Sequence, residues 1–172
     1  MKTFENNKIF INSDEYIYRV EHLTLEGSCS LDHGPRNVKI KKLYVDKYPV
    51  TNKQYLSFVK KTGYRPQDSQ RFLAHKPQKN KSNHPVVCVS QNDAMEYAKW
   101  VGGRLPTDKE WQYIAAGPNY LEWPWGDIFD PSVCNHDHGA LTPVNAHKKG
   151  ASWCGCEDLS GNTWEWTSGV YD

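Results

Sequence analysis

From Val38 to Pro118 the chain alternates short extended apolar runs with stretches of helical period, and each helical stretch has its own start and stop. Val38-Lys39-Ile40-Lys41 alternates, Leu43-Tyr44-Val45 continues it, and Pro49 ends it, as in a half-buried strand. Thr51-Asn52-Lys53-Gln54 reads as a capping box opening a helix with Tyr55, Phe58 and Val59 on one face, stopped at Gly63. Pro85–Val89 is expected as a short buried strand. Ser90-Gln91-Asn92-Asp93 opens a second helix, with Ala94, Tyr97, Ala98 and Val101 at i, i+3, i+4 and i+7 and Gly102-Gly103 at its end. A third runs from the cap Thr107, with Glu110 at N3, to Gly117-Pro118, with Trp111, Ile114 and Ala115 on one face.

Outside this region the periodicity is weaker. Lys8–Asn12 and Tyr16–Val20 are strand-like, residues 25–35 read as loop, and the first ten or so residues are expected to be poorly fixed. Residues 64–85 carry three prolines and little apolar content, the pattern of a long surface excursion. From Trp123 onward turn residues recur nearly every third position. We expect ordered loop there, closed by a strand at Thr163–Thr167 with Trp164 and Trp166 on one face.

Composition narrows the class. The 172 residues fit one domain with a substantial core. The 21 basic and 20 acidic side chains nearly cancel, which argues against nucleic-acid and anionic-membrane partners. No apolar run is long enough to cross a bilayer, and the N-terminus lacks a signal-type apolar segment, so a cytoplasmic location is expected. Seven Trp and ten Tyr against modest aliphatic content point to a core built from rings, in a loop-rich α+β fold. The five cysteines (29, 88, 134, 154, 156) form no CxxC pair and read as reduced thiols.

Several motifs in order then become specific: Tyr48-Pro49-Val50-Thr51-Asn52; Val87–Ser90 with Asp93-Ala94 and Trp100; Arg104-Leu105-Pro106-Thr107 with Glu110-Trp111; Trp125-Gly126; and Asp158-Leu159-Ser160-Gly161-Asn162-Thr163-Trp164-Glu165-Trp166. Over residues 38–172 the chain resembles the formylglycine-generating enzyme (sulfatase-modifying factor) family. The resemblance implies a variant of the C-type-lectin-like fold, short helices with little regular strand. It divides the chain into an irregular segment, 1–37, and a family-like domain, 38–172.

It also implies an oxidase in which two cysteine thiolates hold Cu(I) and turn a substrate protein cysteine into formylglycine. The family's catalytic cysteine segment is not recognisable here, so no residue is assigned a catalytic role, Cu(I) is not expected, and the chain alone is expected to be inactive. Self-association, or pairing with another protein or with the missing segment, is expected instead. A second reading is a non-catalytic binding module with the 64–85 excursion as its contact surface. The related iron-dependent sulfoxide synthases need three His ligands on a helical domain that is absent from this sequence.

For metals, Ca²⁺ is the leading expectation. The Asp158 and Glu165 carboxylates and the Gly161 and Thr163 carbonyls supply hard oxygen donors, and these positions match a structural calcium site of the family. In the bland alternative Asp158 caps a turn and Glu165 pairs with a basic residue. Asn135 and the His136 carbonyl match part of a second such site. Two thiol readings carry less weight: Cys154-Gly155-Cys156 as a soft pair for Cu(I), against core filler, and Cys134–His138 with His147 and Cys154 as zinc ligands, at a spacing that fits no familiar pattern.

Overall fold

The computed structural model describes residues 7–19, 35–74, 79–136 and 139–169. Two antiparallel ribbons come first. Strand β1 (Lys8–Ile11) pairs with β4 (Leu43–Asp46), and β2 (Asp14–Tyr18) with β3 (Arg36–Ile40). Lys8, expected to be poorly fixed, is therefore held in a ladder opposite Asp46, and Lys47 N donates to Asn7 O just beyond it. The second strand starts at Asp14, two residues earlier than the apolar run, because Ile40 gives it a partner there.

Alternation on these strands turns Ile11, Tyr16 and Ile40 inward, where they meet Tyr113 in a first core. Tyr16 contacts Tyr113 edge-on at 5.2 Å and stacks on Tyr120 at 5.1 Å. The buried rings find polar partners, as Tyr113 Oη donates to Asp14 Oδ2 at 2.7 Å.

Helices α1 (Asn52–Thr62), α2 (Ser69–Ala74) and α3 (Gln91–Trp100) surround a second core of Tyr55, Phe58, Phe72 and Tyr97. The three expected capping boxes are formed, at Thr51/Gln54, Ser90/Asp93 and Thr107/Glu110, the last opening α4 (Asp108–Ala116). The 64–85 stretch is not a bare excursion. It contains α2, whose Phe72 is buried against Tyr55 at 5.5 Å, and its Ser82 and His84 carbonyls accept from Lys53 and Asn52 at the start of α1. Its His75 lies outside the described residues, and His84 is half-buried with its imidazole pushed toward the neutral form by that burial.

Two expected strands are absent. Pro85–Val89 makes one bridge, Thr51 to Pro85, and Cys88 at φ 59° breaks the extended run. Thr163–Thr167 has no partner strand among the described residues. Trp164 is fully exposed, while Trp166 lies along the surface and its Nε1 donates to Val89 O at 2.9 Å. Helix α4 also differs in its buried face. Tyr113, Ile114 and Ala115 go inward, and Trp111 turns instead toward the loop that follows Asp158.

Asp93 ties the second core together. Its Oδ1 accepts from Tyr64 Oη at 2.8 Å and Gln67 N at 2.9 Å, and its Oδ2 from Ser90 N at 2.8 Å. Burial alone would push this carboxyl up, but the bonds from Ser90, Gln67 and Tyr64 outweigh it and hold the group below its ordinary value. Asp93→Ala is expected to cost about 2–4 kcal/mol in urea unfolding, since it strands three donors. A carboxyl depressed on folding stabilises above its unfolded value and loses that contribution as pH falls through the folded one. The wild-type urea midpoint should therefore drop on acidification below about pH 4, and the variant's should drop less.

Candidate functional site

The segment after Asp158 is built from left-handed backbone rather than a ladder. Asp158, Gly161 and Asn162 sit at φ 62°, 88° and 60°. Asp and Asn tolerate this region better than other side chains because their short polar groups bond locally. Asn162 does so fully. Its Oδ1 accepts from Asn135 Nδ2 at 3.0 Å and Thr142 N at 3.0 Å. Its Nδ2 donates to Asp158 Oδ2 at 2.9 Å and Thr142 O at 3.2 Å, and its backbone N to Asn135 O at 3.0 Å. One side chain thus fastens the 158–165 loop to the 135–142 loop.

The four residues assigned from the sequence to a first calcium site share that loop, and the structure gives each a definite setting. Asp158 is buried, and its carboxyl is pushed up by burial, against the pull of Asn162 and His147. Gly161 O accepts from Thr163 N at 2.7 Å, a tight local turn. Glu165 Oε2 accepts from Trp111 Nε1 at 2.6 Å. Burial pushes the Glu165 carboxyl up to about 7, and the Asp158 charge adds to it against the Trp111 bond. Among the described residues the ion pairs are Lys47–Glu157, Lys99–Glu96 and Arg104–Glu110, so neither Asp158 nor Glu165 has a Lys or Arg partner. The Thr142 hydroxyl, His147 Nε2 and Glu157 Oε2 are buried without hydrogen-bond partners around the same loop.

Of the second pair, Asn135 is brought directly against Gly161, and its Nδ2 also donates to Ala140 O at 2.9 Å. His136 is exposed and lies edge-on to Phe129 at 5.3 Å, beside the Trp123–Trp125 stack. The zinc set is not gathered. Cys134 Sγ faces Asp130 O, Cys154 Sγ is 3.7 Å from Cys156 Sγ, and Asp137 and His138 lie outside the described residues. Among the described residues no group of three or more His, Cys, Asp or Glu side chains is placed to hold a metal ion, so oxygen donation at this loop would have to include carbonyls.

Sequence reasoning passed over Asn162 and Trp111 as site residues. The signal for the first was the Gly161-Asn162 pair, since an amide that donates and accepts can replace a missing ladder. For the second no local signal existed, because Trp111 reads as core by spacing.

Gly161 is required twice over. It has φ 88°, and a Cβ there would lie 2.6 Å from Asn135 O. Gly161→Ala is therefore expected to cost about 2–4 kcal/mol, read as a lowered thermal midpoint. Asn162→Ala should fall in the same range. Equality of either variant with wild type would remove the loop-to-loop brace from this account.

The family model described as the sulfatase-modifying factor enzyme 1-like domain matches residues 6–172. The chain is similar to the formylglycine-generating enzyme of Thermomonospora curvata, 33% identical over 77% of this chain and 62% of that protein. It is also similar to the inactive C-alpha-formylglycine-generating enzyme 2 of Mus musculus, 31% identical over 80% of this chain and 62% of that one. The chain therefore spans a little under two thirds of these relatives' length. Among solved structures, PvdO from Pseudomonas aeruginosa superposes with a TM-score of 0.72 at 22% identity, covering 96% of this chain and 71% of that one.

Proposed function

The chain belongs to the sulfatase-modifying factor enzyme 1-like family, and from that premise we propose that its 158–165 loop is a structural Ca²⁺ site bracing a formylglycine-generating-type domain. One observation carries the reading. Two carboxylates, Asp158 and Glu165, are drawn into one loop and share no Lys or Arg partner among the described residues. Like charges brought together in a partly desolvated site are tolerable when a cation offsets them. The donors are oxygens, the set Ca²⁺ favours: the two carboxylates with the Gly161 and Thr163 carbonyls. The ion would supply charge neutralisation and loop order. Asn162 and Trp111 do the positioning, by holding Asp158 and Glu165 respectively.

Asn135 serves this site as a buttress through its bond to Asn162. Together with the His136 carbonyl it is a candidate for a second cation, which a calcium titration would register as a second binding step.

By its likeness to formylglycine-generating enzymes the domain would be one that acts on a protein cysteine. The Cu(I) chemistry implied by the family is not assigned to the thiols described here. Cys154 and Cys156 are packed on each other across one residue, and Cys156 is fully buried, which weighs against Cys156 as a ligand with an open position beside it.

Calcium is expected to stabilise the chain by about 2.7 kcal/mol at a hundredfold excess over Kd, or roughly 5–10 °C in Tm, with EDTA reversing the gain. Glu165→Gln keeps an acceptor for Trp111 but should lose the calcium increment. A wild-type Tm indifferent to calcium would sink the site. Incubated with Cu(I), O₂ and a sulfatase-type cysteine peptide, the chain alone should yield no aldehyde by hydrazide labelling, and robust turnover would overturn the catalytic assignment.

Full exposure of Trp164 favours a second reading, in which this surface binds another protein chain. Size-exclusion chromatography should then show self-association that Trp164→Ser relieves, and a monomeric wild type would count against it.

A further inference from the structure

Cys154 and Cys156 belong to neither the calcium loop nor the domain's expected chemistry, yet their setting is built with some care. The backbone between them closes on itself: Ser152 N donates to Cys156 O at 2.8 Å, and Gly155 N donates to Ser152 O at 2.8 Å. Gly155 takes φ 95°, a left-handed value that lets the chain reverse between the two side chains. Extended residues at i and i+2 would point their side chains the same way but keep them apart. This turn instead brings the two sulfurs to 3.7 Å.

The two thiols differ in access. Cys156 is fully buried, with its Sγ directed at Asp46 O, the last residue of β4. Cys154 is half-buried at the margin of the first core, with Ser152 Oγ 3.3 Å from its sulfur. Cys134 stands apart, against Asp130 O. A pair with one reachable and one sheltered sulfur is the arrangement of an attacking and a resolving thiol.

From the sulfur–sulfur separation and this difference in access we infer that Cys154 and Cys156 form a redox-active dithiol that exchanges with low-molecular-weight disulfides of the glutathione type. In the first step the Cys154 thiolate attacks one sulfur of the disulfide. The S–S bond of the reagent breaks, a Cys154 mixed disulfide forms, and one thiolate leaves. In the second step Cys156 attacks Cys154 Sγ and surrenders its proton to the departing thiolate. The mixed disulfide breaks and a Cys154–Cys156 bridge remains. The protein has lost two protons and two electrons, and the reagent has become two thiols.

The sulfurs must close from 3.7 Å to about 2.05 Å, a displacement within one turn rather than between elements. A bridge spanning one residue is strained, and strained disulfides are readily reduced, so exchange runs in both directions. The hydrogen bond from Cys156, with lesser help from Ser152, holds the Cys154 thiol down to about 6 against the opposing effect of burial, consistent with its role as the attacking group.

The test uses the full chain equilibrated with defined ratios of reduced and oxidised glutathione. It is then quenched in acid, alkylated and mapped by peptide mass spectrometry. Wild type is expected to form a bridge confined to residues 154 and 156, which an excess of reduced glutathione reverses. Cys156→Ser should accumulate a glutathione adduct on Cys154 at least about tenfold faster than on Cys88 in the same sample. Cys154→Ser should give neither bridge nor rapid adduct. No bridge in wild type at full oxidation, a bridge from Cys154 to any other cysteine, or an adduct no faster than that on Cys88 would overturn the inference. Should a Ser variant fail to fold, the wild-type bridge measurement decides alone.

Discussion

The C-terminal half of the described structure hangs on the carboxamide of Asn162. A chain with almost no sheet and only short helices must still pair its backbone groups, and an unpaired buried one costs about 1–3 kcal/mol. Asn162 answers for several at once. It accepts from Thr142 N, donates to Thr142 O, and links Asn135 to Asp158, while its own N–H closes on Asn135 O. These bonds form only because Gly161 lets the two backbones approach to a distance that a methyl group would forbid. The 158–165 loop is thus positioned by an amide and an absent side chain rather than by a strand.

Helix α4 transmits that arrangement to the rest of the fold. Each part of its length meets a different neighbour. At its start Arg104 clamps Glu110 through two bonds of 2.7 Å, which also fixes the cap at Thr107. Midway, Trp111 reaches out to Glu165 and Tyr113 inward to Asp14 and Tyr16. At its end the Tyr113 carbonyl accepts from Trp153 Nε1 at 2.9 Å, just ahead of the cysteine turn. A helix of nine residues has little stability of its own, so these contacts hold it as much as it holds them.

These two features explain what could be read from the residues and what could not. The three main helices were legible because capping boxes, stop glycines and apolar period are local and agree with one another. The extended runs near residues 8–12, 16–20 and 38–45 were legible, but the last read as one strand, whereas the chain breaks at Lys41-Lys42 into β3 and β4, which pair with different strands. Neither the break nor the pairing was legible, since register depends on partners far along the chain. The two strands that failed, at Pro85–Val89 and Thr163–Thr167, had strand-like composition without a neighbour to complete a ladder. Helix α2 was missed because its apolar content is chiefly Phe72 and Leu73, too short a signal to show a period. At the candidate site the two carboxylates flanking Gly161 were visible as a pattern, whereas Asn162 and Trp111 act through tertiary contacts that no spacing announces.

Family membership and chemistry then separate along physical lines. The residues that identify the family here are those that cap, turn and brace: Thr107 and Glu110, Gly161 and Asn162, Trp111 with Glu165. In this chain those residues hold the loop-rich architecture without themselves supplying oxidase chemistry, and the relatives' names include both a formylglycine-generating enzyme and an inactive one. Thiol chemistry depends on something narrower, the separation and access of particular sulfurs. Cys154 and Cys156 satisfy that requirement within one turn, next to the Glu157 that pairs with Lys47 and just ahead of the loop headed by Asp158. Any rearrangement that joins the two sulfurs must move the backbone between Ser152 and Glu157. That backbone is anchored at one end by Trp153 on α4 and at the other by Glu157 N donating to Lys47 O. The strain of a bridge is therefore confined between two fixed points, which allows the turn to change its redox state without dismantling the architecture around it.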